Sequence, residues 1–417
     1  MEQLEPFEEW KYSSEVTLSK SDIDFLNEKV NGEKLNSKIV IIALGDNHYK
    51  LKATSWVGTV KIPNSYTIVI KPKVGNLNFF KLLAYCEDLE EIEYFDLVYA
   101  KEGEDLVDFM AKLFLDNTRQ IVEEGIYKNY ISVTEEIPAV KGRLLLAQNI
   151  RHPRLTHEKF WCEYDELSSD ILENQILLYC ANVLSLLVKD HKIQSDLYDF
   201  QQKLESQGVS NIFLEQYHLA LILIQKLNEY YEKALKLCEF ILKITWYEDF
   251  TREERLPIYG FLYDMNVLFQ KFVTKAIQEI FSKYNVYAEL RNPDMLERIP
   301  MEHLDDNFEG VSKVNLKPDI AIREKSTKKM VLIVDTKYKP MISTNDTYQA
   351  IAYSLAFECP AILLLPQIEK PVSDGFKLHP DLKKEAYVFI KSLDFSYEID
   401  FISELKNKIR SILQIWL

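Results

Sequence analysis

The chain has 417 residues, 47% hydrophobic and 28% charged, with a formal net charge of −15. That length calls for two or three domains with sizeable cores, and the acidic balance argues against strong autonomous binding to nucleic acid. No apolar run approaches the roughly 20 residues that span a bilayer, and the acidic N-terminus lacks the pattern of a signal peptide. Five scattered cysteines (Cys86, Cys162, Cys180, Cys238, Cys359) form no Cys-x-x-Cys or zinc spacing, so a reduced, cytoplasmic protein is expected. The charge is uneven: residues 86–105 carry a net −8, residues 138–160 a net +4 and residues 311–340 a net +5. Contact with DNA is therefore expected to be local and assisted.

In chain order, residues 1–75 read as strand-rich. Segments 38–43, 49–56, 57–62 and 66–71 are β-branched or alternating, and Gly45-Asp46-Asn47 and Pro63-Asn64-Ser65 turns separate them. Helices are predicted over 77–89 and 105–124 and a strand over 130–136, ahead of a basic segment at 141–154. The middle is helical, with apolar residues at three-to-four spacing over 169–190, 191–206 and 214–244; Ser169 or Ser168 is the expected cap of the first. Residues 259–284 read as a further long helix. Residues 285–366 follow the order strand, hairpin, helix (346–357), strand (361–365), and an amphipathic helix occupies 402–417. The predicted class is multidomain α+β: a β-rich N-terminal region at 1–150, a helical scaffold or stalk at 151–255, and a C-terminal α/β domain with a mixed sheet at 256–417.

The chemistry-bearing pattern lies in the last of these. Leu316-Lys317-Pro318-Asp319-Ile320-Ala321-Ile322 precedes a charged turn at 323–329, and Val331 to Val334 then leads into Asp335-Thr336-Lys337-Tyr338-Lys339. Strand side chains alternate, so Asp335 and Lys337 project together and Thr336 points away. A hairpin brings Asp319 beside Asp335. Two carboxylates and a lysine then form the ligand set for Mg²⁺ and a cation beside an attacked phosphate. The expected ligands are Asp319, Asp335 and the backbone carbonyl of Thr336, with Glu289 as a further candidate. Lys337 is expected to orient or deprotonate water, or to stabilise the transition state. Gln349 and Tyr353 share a face of the following helix, placed to position the DNA backbone or the lysine. The set resembles the PD-(D/E)xK nuclease core with its Gln-x-x-x-Tyr element. The bland alternative is a surface Asp335–Lys337 ion pair and a core contact between Gln349 and Tyr353.

Other motifs extend the pattern over roughly 56–366. They are Trp56-Val57-Gly58-Thr59-Val60, Ile68-Val69-Ile70-Lys71-Pro72-Lys73, Gly142-Arg143-Leu144, Glu163-Tyr164-Asp165-Glu166-Leu167-Ser168 with Asp170 and Asn174, and Tyr263-Asp264-Met265-Asn266 with Leu268-Phe269. Together they resemble the McrC family, the nuclease subunits of McrBC modification-dependent restriction systems. The resemblance implies a partner, an McrB-like hexameric AAA+ GTPase that recognises DNA. It implies that the N-terminal region enters the motor's channel and stimulates GTP hydrolysis, and that Mg²⁺-dependent cleavage of double-stranded DNA results. The recognised base, methylated or not, would be set by the partner. The chain has no Gly-x-x-x-x-Gly-Lys-Ser/Thr loop, so GTP is expected on the partner and not here. One position departs: Gln270 stands where the family often carries glutamate, and Asp264, six residues earlier, lies off that helical face. Arg143, Arg151 and Arg154 are candidates for an arginine finger in the motor's GTPase site, against a reading as ordinary surface arginines. The rival functions are a stand-alone repair nuclease of the same core and a nuclease-inactive activator of an AAA+ motor, for which Gln270 is the one hint.

Overall fold

The computed structural model describes residues 2–32, 37–63, 65–87, 106–151, 159–211, 229–247, 258–290, 316–367, 370–378, 385–397 and 400–417. Its strands in chain order are β1 (Glu2–Gln3), β2 (Phe7–Glu8), β3 (Val16–Thr17), β4 (Ile39–Gly45), β5 (His48–Ala53), β6 (Trp56–Lys61), β7 (Tyr66–Lys71), β8 (Asn129–Ile137), β9 (Arg143–Leu144) and β10 (Phe160–Ser168). They continue with β11 (Thr245–Tyr247), β12 (Ile258–Asp264), β13 (Tyr284–Ala288), β14 (Ile320–Glu324), β15 (Met330–Thr336), β16 (Ala361–Pro366), β17 (Ser373–Lys377) and β18 (Tyr387–Leu393). Contacts divide the chain into two units, Met1–Glu102 with Leu262–Leu417, and Gly103–Phe261. The linear division at 150 and 255 does not coincide with them. The reason is tertiary: the N-terminal strands pack with the C-terminal third, as the bond between Glu9 and Tyr338 illustrates.

In the first unit, β1 and β2 run parallel to β7, and β7 pairs antiparallel with β6. A small sheet of order β3-β5-β4 stands beside this run in sequence. The C-terminal sheet has the order β13-β14-β15-β16-β18-β17. Its first three strands are antiparallel neighbours, with β14 and β15 joined by a short turn; β15, β16 and β18 are parallel, and β17 returns antiparallel to β18. The mixed sheet expected from the sequence is thus present. β15 and β16 read as continuous apolar runs because both of their faces are covered. On one face Ile333, Ala321, Leu363 and Val388 pack with Ala350, Tyr353 and Phe357 of the helix Thr344–Phe357. On the other, the helix Met265–Ile280 packs against β13 and β15, and the helix Phe401–Leu413 packs against that helix and β18.

The second unit combines the helices Leu106–Glu124, Leu172–Leu187, His191–Ser206 and Glu229–Ile244, which pack on one another, with a sheet of order β8-β10-β9. The helical middle expected from the sequence therefore recruits the earlier helix Leu106–Glu124 as well. Residues 214–228 of the predicted helix at 214–244 lie outside the described residues.

Three local readings change. The segment read as one helix from 259 begins as strand β12, and the helix starts at Met265, where the Asp264 Oδ1 accepts the Asn266 N–H at 2.9 Å. An N-cap aspartate, with the aromatic Phe261 and Tyr263 before it, starts the helix there and leaves the preceding residues to the sheet. Neither Ser169 nor Ser168 caps the helix Leu172–Leu187, whose N-cap is Ile171. Ser169 Oγ instead donates to the Gln207 carbonyl at 2.5 Å, and Ser168 Oγ accepts the Asp170 N–H at 2.9 Å. Finally, β9, β10, β11, β17 and β18 are strands that the sequence reading does not contain.

Candidate active site

The turn between β14 and β15 closes where the charged segment 323–329 predicts, with Ile320 opposite Val334. That register places Asp319 next to Asp335, just past the last paired residues. The contact is held by Thr336, whose N–H and Oγ1 both donate to Asp319 Oδ2 at 2.8 Å. Thr336 thus orients one of the two carboxylates by its own polar atoms. The Lys337 N–H donates to the Leu364 carbonyl at 2.9 Å, which fixes the lysine backbone against β16.

Asp335 is 1% exposed, and Lys337 Nζ stands 2.8 Å from its Oδ2. Among the described residues, its Oδ1 is buried with no hydrogen-bond partner. Burial, and then the neighbouring Asp319, push the Asp335 carboxyl up to about 6, more than Lys337 pulls it down. Burial works against the Lys337 charge, but Asp335 and Asp319 outweigh it and hold the ammonium above its ordinary range. The two partners are therefore not a balanced ion pair: two acids crowd one cation in a partly dry site.

Gln349 and Tyr353 stand on the helix above. Gln349 Nε2 donates to the Tyr353 Oη at 2.7 Å, and that hydroxyl donates to the Lys317 carbonyl at 2.9 Å. The pair therefore clamps the backbone two residues before Asp319. Burial, then Asp335, push the Tyr353 phenol up to about 12, so it stays protonated and donating. The core contact of the bland reading is real, but it is aimed at the carboxylate strand.

Other candidates are less convergent. The Glu289 carboxylate lies 2.6 Å from Lys317 Nζ, while its backbone N–H donates to the Asp319 carbonyl at 2.7 Å. Gln270 is half-buried on the helix Met265–Ile280, and its carbonyl accepts the Thr274 hydroxyl. Asp264 is spent on the helix cap and on Ser55, whose Oγ donates to it at 2.9 Å. Arg143 is exposed and lies 3.2 Å from Glu163. Arg151 ends the helix Leu146–Arg151, and Arg154 lies outside the described residues.

Two neighbouring features escaped the sequence reading. Lys339 pairs with Asp346, which also caps the helix Thr344–Phe357 through a capping box with Ser343. Burial alone would raise the Asp346 carboxyl, but Lys339 and Ser343 outweigh it and hold it low. The Ser343-x-x-Asp346 spacing was a legible signal for the cap. The buried Glu9, bonded to Tyr338, had no such signal, because the two are far apart in sequence.

The site suits a hard divalent cation in one respect: two adjacent carboxylates, one with a buried, unpartnered oxygen, form an oxygen-donor set that the single Lys337 ammonium balances only in part. Among the described residues, no cluster of three or more His, Cys, Asp or Glu is placed to hold a metal. Magnesium commonly binds through one or two carboxylates and fills its remaining positions with water and substrate phosphate, so the pair is sufficient in kind.

Comparisons with known proteins bear on the whole chain. The family model described as the McrBC 5-methylcytosine restriction system component matches residues 51–365. The type IV methyl-directed restriction enzyme EcoKMcrBC of Escherichia coli is 25% identical over 341 residues, covering 74% of this chain and 90% of that protein. In overall fold the chain resembles a chain in a refined half-complex from a tetradecameric assembly of Thermococcus gammatolerans McrB AAA+ hexamers with bound McrC. That match has a TM-score of 0.67 at 17% identity, and it covers 98% of this chain and 100% of that one. The N-terminal strands, helical middle and C-terminal mixed sheet thus share one known architecture, and the motif set spread along the sequence falls within one family match. The chain belongs to the family of McrBC 5-methylcytosine restriction system components.

Proposed function

We propose that this chain is the DNA-cutting subunit of a GTP-driven restriction complex, a Mg²⁺-dependent endonuclease of the PD-(D/E)xK type that hydrolyses phosphodiester bonds of double-stranded DNA. The observation that carries the proposal is the convergence of Asp319, Asp335 and Lys337 at the end of β15, with a buried Asp335 oxygen left without a partner. A purely structural ion pair has no use for a second carboxylate crowding the first, since that arrangement is costly.

Asp319 and Asp335 are the residues that would hold Mg²⁺, with the Thr336 carbonyl as the third protein donor. When bound, the ion supplies positive charge toward the phosphate and acidity toward the attacking water. Thr336 holds Asp319 in place through its N–H and hydroxyl. Lys337, kept charged by the two acids, offers a cation to the phosphate as negative charge builds there. Tyr353 and Gln349 fix the backbone leading into Asp319, which keeps the carboxylates in register.

Family membership supports an AAA+ GTPase partner, and the methyl-directed activity of the E. coli relative supports methylated DNA as the substrate. Nucleotide hydrolysis falls to that partner, since this chain carries no phosphate-binding loop. The test is cleavage of methylated and unmethylated plasmid by the chain with and without its AAA+ partner, GTP and Mg²⁺, alongside Asp335→Ala. Cleavage that needs every component and disappears in the variant is expected. Cleavage by the chain alone would establish a stand-alone nuclease. Stimulated GTPase without cleavage of either plasmid would favour an activator role, the reading that Gln270 hints at.

A further inference from the structure

The residue after Lys337 is anchored from an unexpected direction. Tyr338 is buried, its ring lies 5.9 Å from that of Phe269, and its hydroxyl donates to Glu9 Oε1 at 2.6 Å. Glu9 is fully buried. Its Oε1 also accepts the Lys73 N–H at 2.9 Å, its own N–H donates to the Lys71 carbonyl at 3.1 Å, and its Oε2 is buried without a hydrogen-bond partner among the described residues. The segment that carries it is stitched to β7 through Phe7 opposite Ile70 and Glu8 opposite Lys71.

A buried acid with an unpaired oxygen lowers stability, a cost that is retained where the group serves another purpose. Its place in the fold suggests what. β15 ends at Thr336, so Lys337 and Tyr338 lie beyond the ladder that sets the register of the strand. The Lys337 N–H is tied to the Leu364 carbonyl, and Tyr338 is tied by its side chain to Glu9. The Lys339 N–H donates to the Lys337 carbonyl at 3.0 Å, a three-residue turn centred on Tyr338, so fixing the Tyr338 ring fixes the turn from which Lys337 leaves the chain.

We propose that Glu9 is a positioning residue for the Lys337 ammonium, acting through the Tyr338 hydroxyl, so that the N-terminal segment sets the rate of DNA cleavage. The proposal rests on the nuclease reading above. It assigns Glu9 no contact with DNA or metal. It also gives the N-terminal strands a second role besides their own fold: they complete the setting of the cutting residue.

The test uses the full chain with its AAA+ partner, GTP and Mg²⁺, and measures kcat and KM for plasmid cleavage, stimulated GTPase and thermal stability. Tyr338→Phe removes only the hydroxyl, and Glu9→Ala removes the acceptor. Each is expected to lower kcat by about tenfold with KM and stimulated GTPase unchanged, the scale of a small misplacement of a reacting group. Glu9→Gln keeps the Oε1 acceptor and is expected to restore kcat to within about twofold of the parent. The idea is overturned if a folded Tyr338→Phe complex cleaves at the parental rate, if Glu9→Gln is as slow as Glu9→Ala, or if GTPase stimulation falls in step with cleavage. Asp335→Ala separates this idea from its foundation. If that variant still cleaves, the nuclease reading itself fails; if it is inactive while Tyr338→Phe is normal, the positioning role alone fails.

Discussion

Asp335 carries opposite demands. It is nearly inaccessible, sits beside a second carboxylate, and holds an oxygen that nothing in its described surroundings satisfies. Each of these lowers stability, and sites that do chemistry commonly retain such costs. Replacing the carboxylate with a neutral isostere should relieve them, and Lys337, 21% exposed at its side chain, keeps its access to water. We therefore expect Asp335→Asn to raise the melting temperature near neutral pH by a few degrees, about 1 kcal/mol, while abolishing cleavage. Calorimetry beside the plasmid assay checks this. A fall in melting temperature would instead mark Asp335 as a structural partner of Lys337, the bland reading of the sequence. That reading and its rival were both legible because strand alternation and a charged turn bring Asp319, Asp335 and Lys337 together from local spacing alone. The unsatisfied oxygen that separates them was not legible, since it depends on which atoms of β16 and the helix Thr344–Phe357 pack around the carboxylate.

Elements show where local pattern fails. The segment 259–284 reads as one helix, yet its first residues form β12 and the Asp264 cap stops the helix from extending backward. The motif residues Asp264 and Asn266 therefore serve a junction: both reach Ser55, at 2.9 and 2.6 Å, and the Met265 N–H donates to the Ser55 carbonyl at 2.8 Å. A second motif, Gly142-Arg143-Leu144, has a comparable structural reason. Gly142 has φ +64°, and a Cβ there would lie 2.4 Å from the Glu163 carbonyl oxygen and 2.6 Å from the Tyr164 Cβ. Only glycine lets β9 close on β10, where the Lys141 ammonium stands 3.6 Å from the centre of the Tyr164 ring and that phenol bonds Glu135. Gly142→Ala is expected to cost at least about 2 kcal/mol through backbone strain and the clash. Hydrogen exchange should show lost protection in β9 and β10, and unchanged protection there would remove the argument. The N-terminal strands add a pH-dependent element. Burial raises the Glu9 carboxyl from its ordinary 4.5 to about 7. The folded chain thus holds a proton there that the unfolded chain releases, so this contribution to stability is complete below pH 4.5 and is lost as pH rises through 7. The span corresponds to roughly 3 kcal/mol. Glu9→Gln should remove that loss, so its melting temperature should gain on the parent between pH 5 and pH 8. A constant difference across that range would show that Glu9 does not titrate in the folded chain.

At the scale of the whole molecule, charge and the proposed activity pull apart. A net charge of −15 repels a DNA duplex, while the segment around the candidate site, 311–340, is locally +5. Beyond a Debye length of about 8 Å at physiological salt the general repulsion is screened, so the local basic stretch can meet DNA once something else holds the duplex there. A chain whose basic residues are confined to short stretches can neutralise few phosphates and so binds weakly alone, because affinity for DNA scales with the counterions released. We expect the isolated chain to bind a short duplex more weakly than about 1 µM at physiological salt, and an AAA+ partner to supply most of the affinity of the complex. Fluorescence anisotropy over a salt series measures both: the isolated chain should give a shallow slope of log affinity against log salt, and the complex a steeper one. The same reasoning links charge to control. A nuclease that cannot hold DNA unaided cuts only where a partner delivers the duplex, so site choice passes to the component that binds. Tight, salt-sensitive binding by the isolated chain would break that link and place both recognition and cleavage on this one polypeptide.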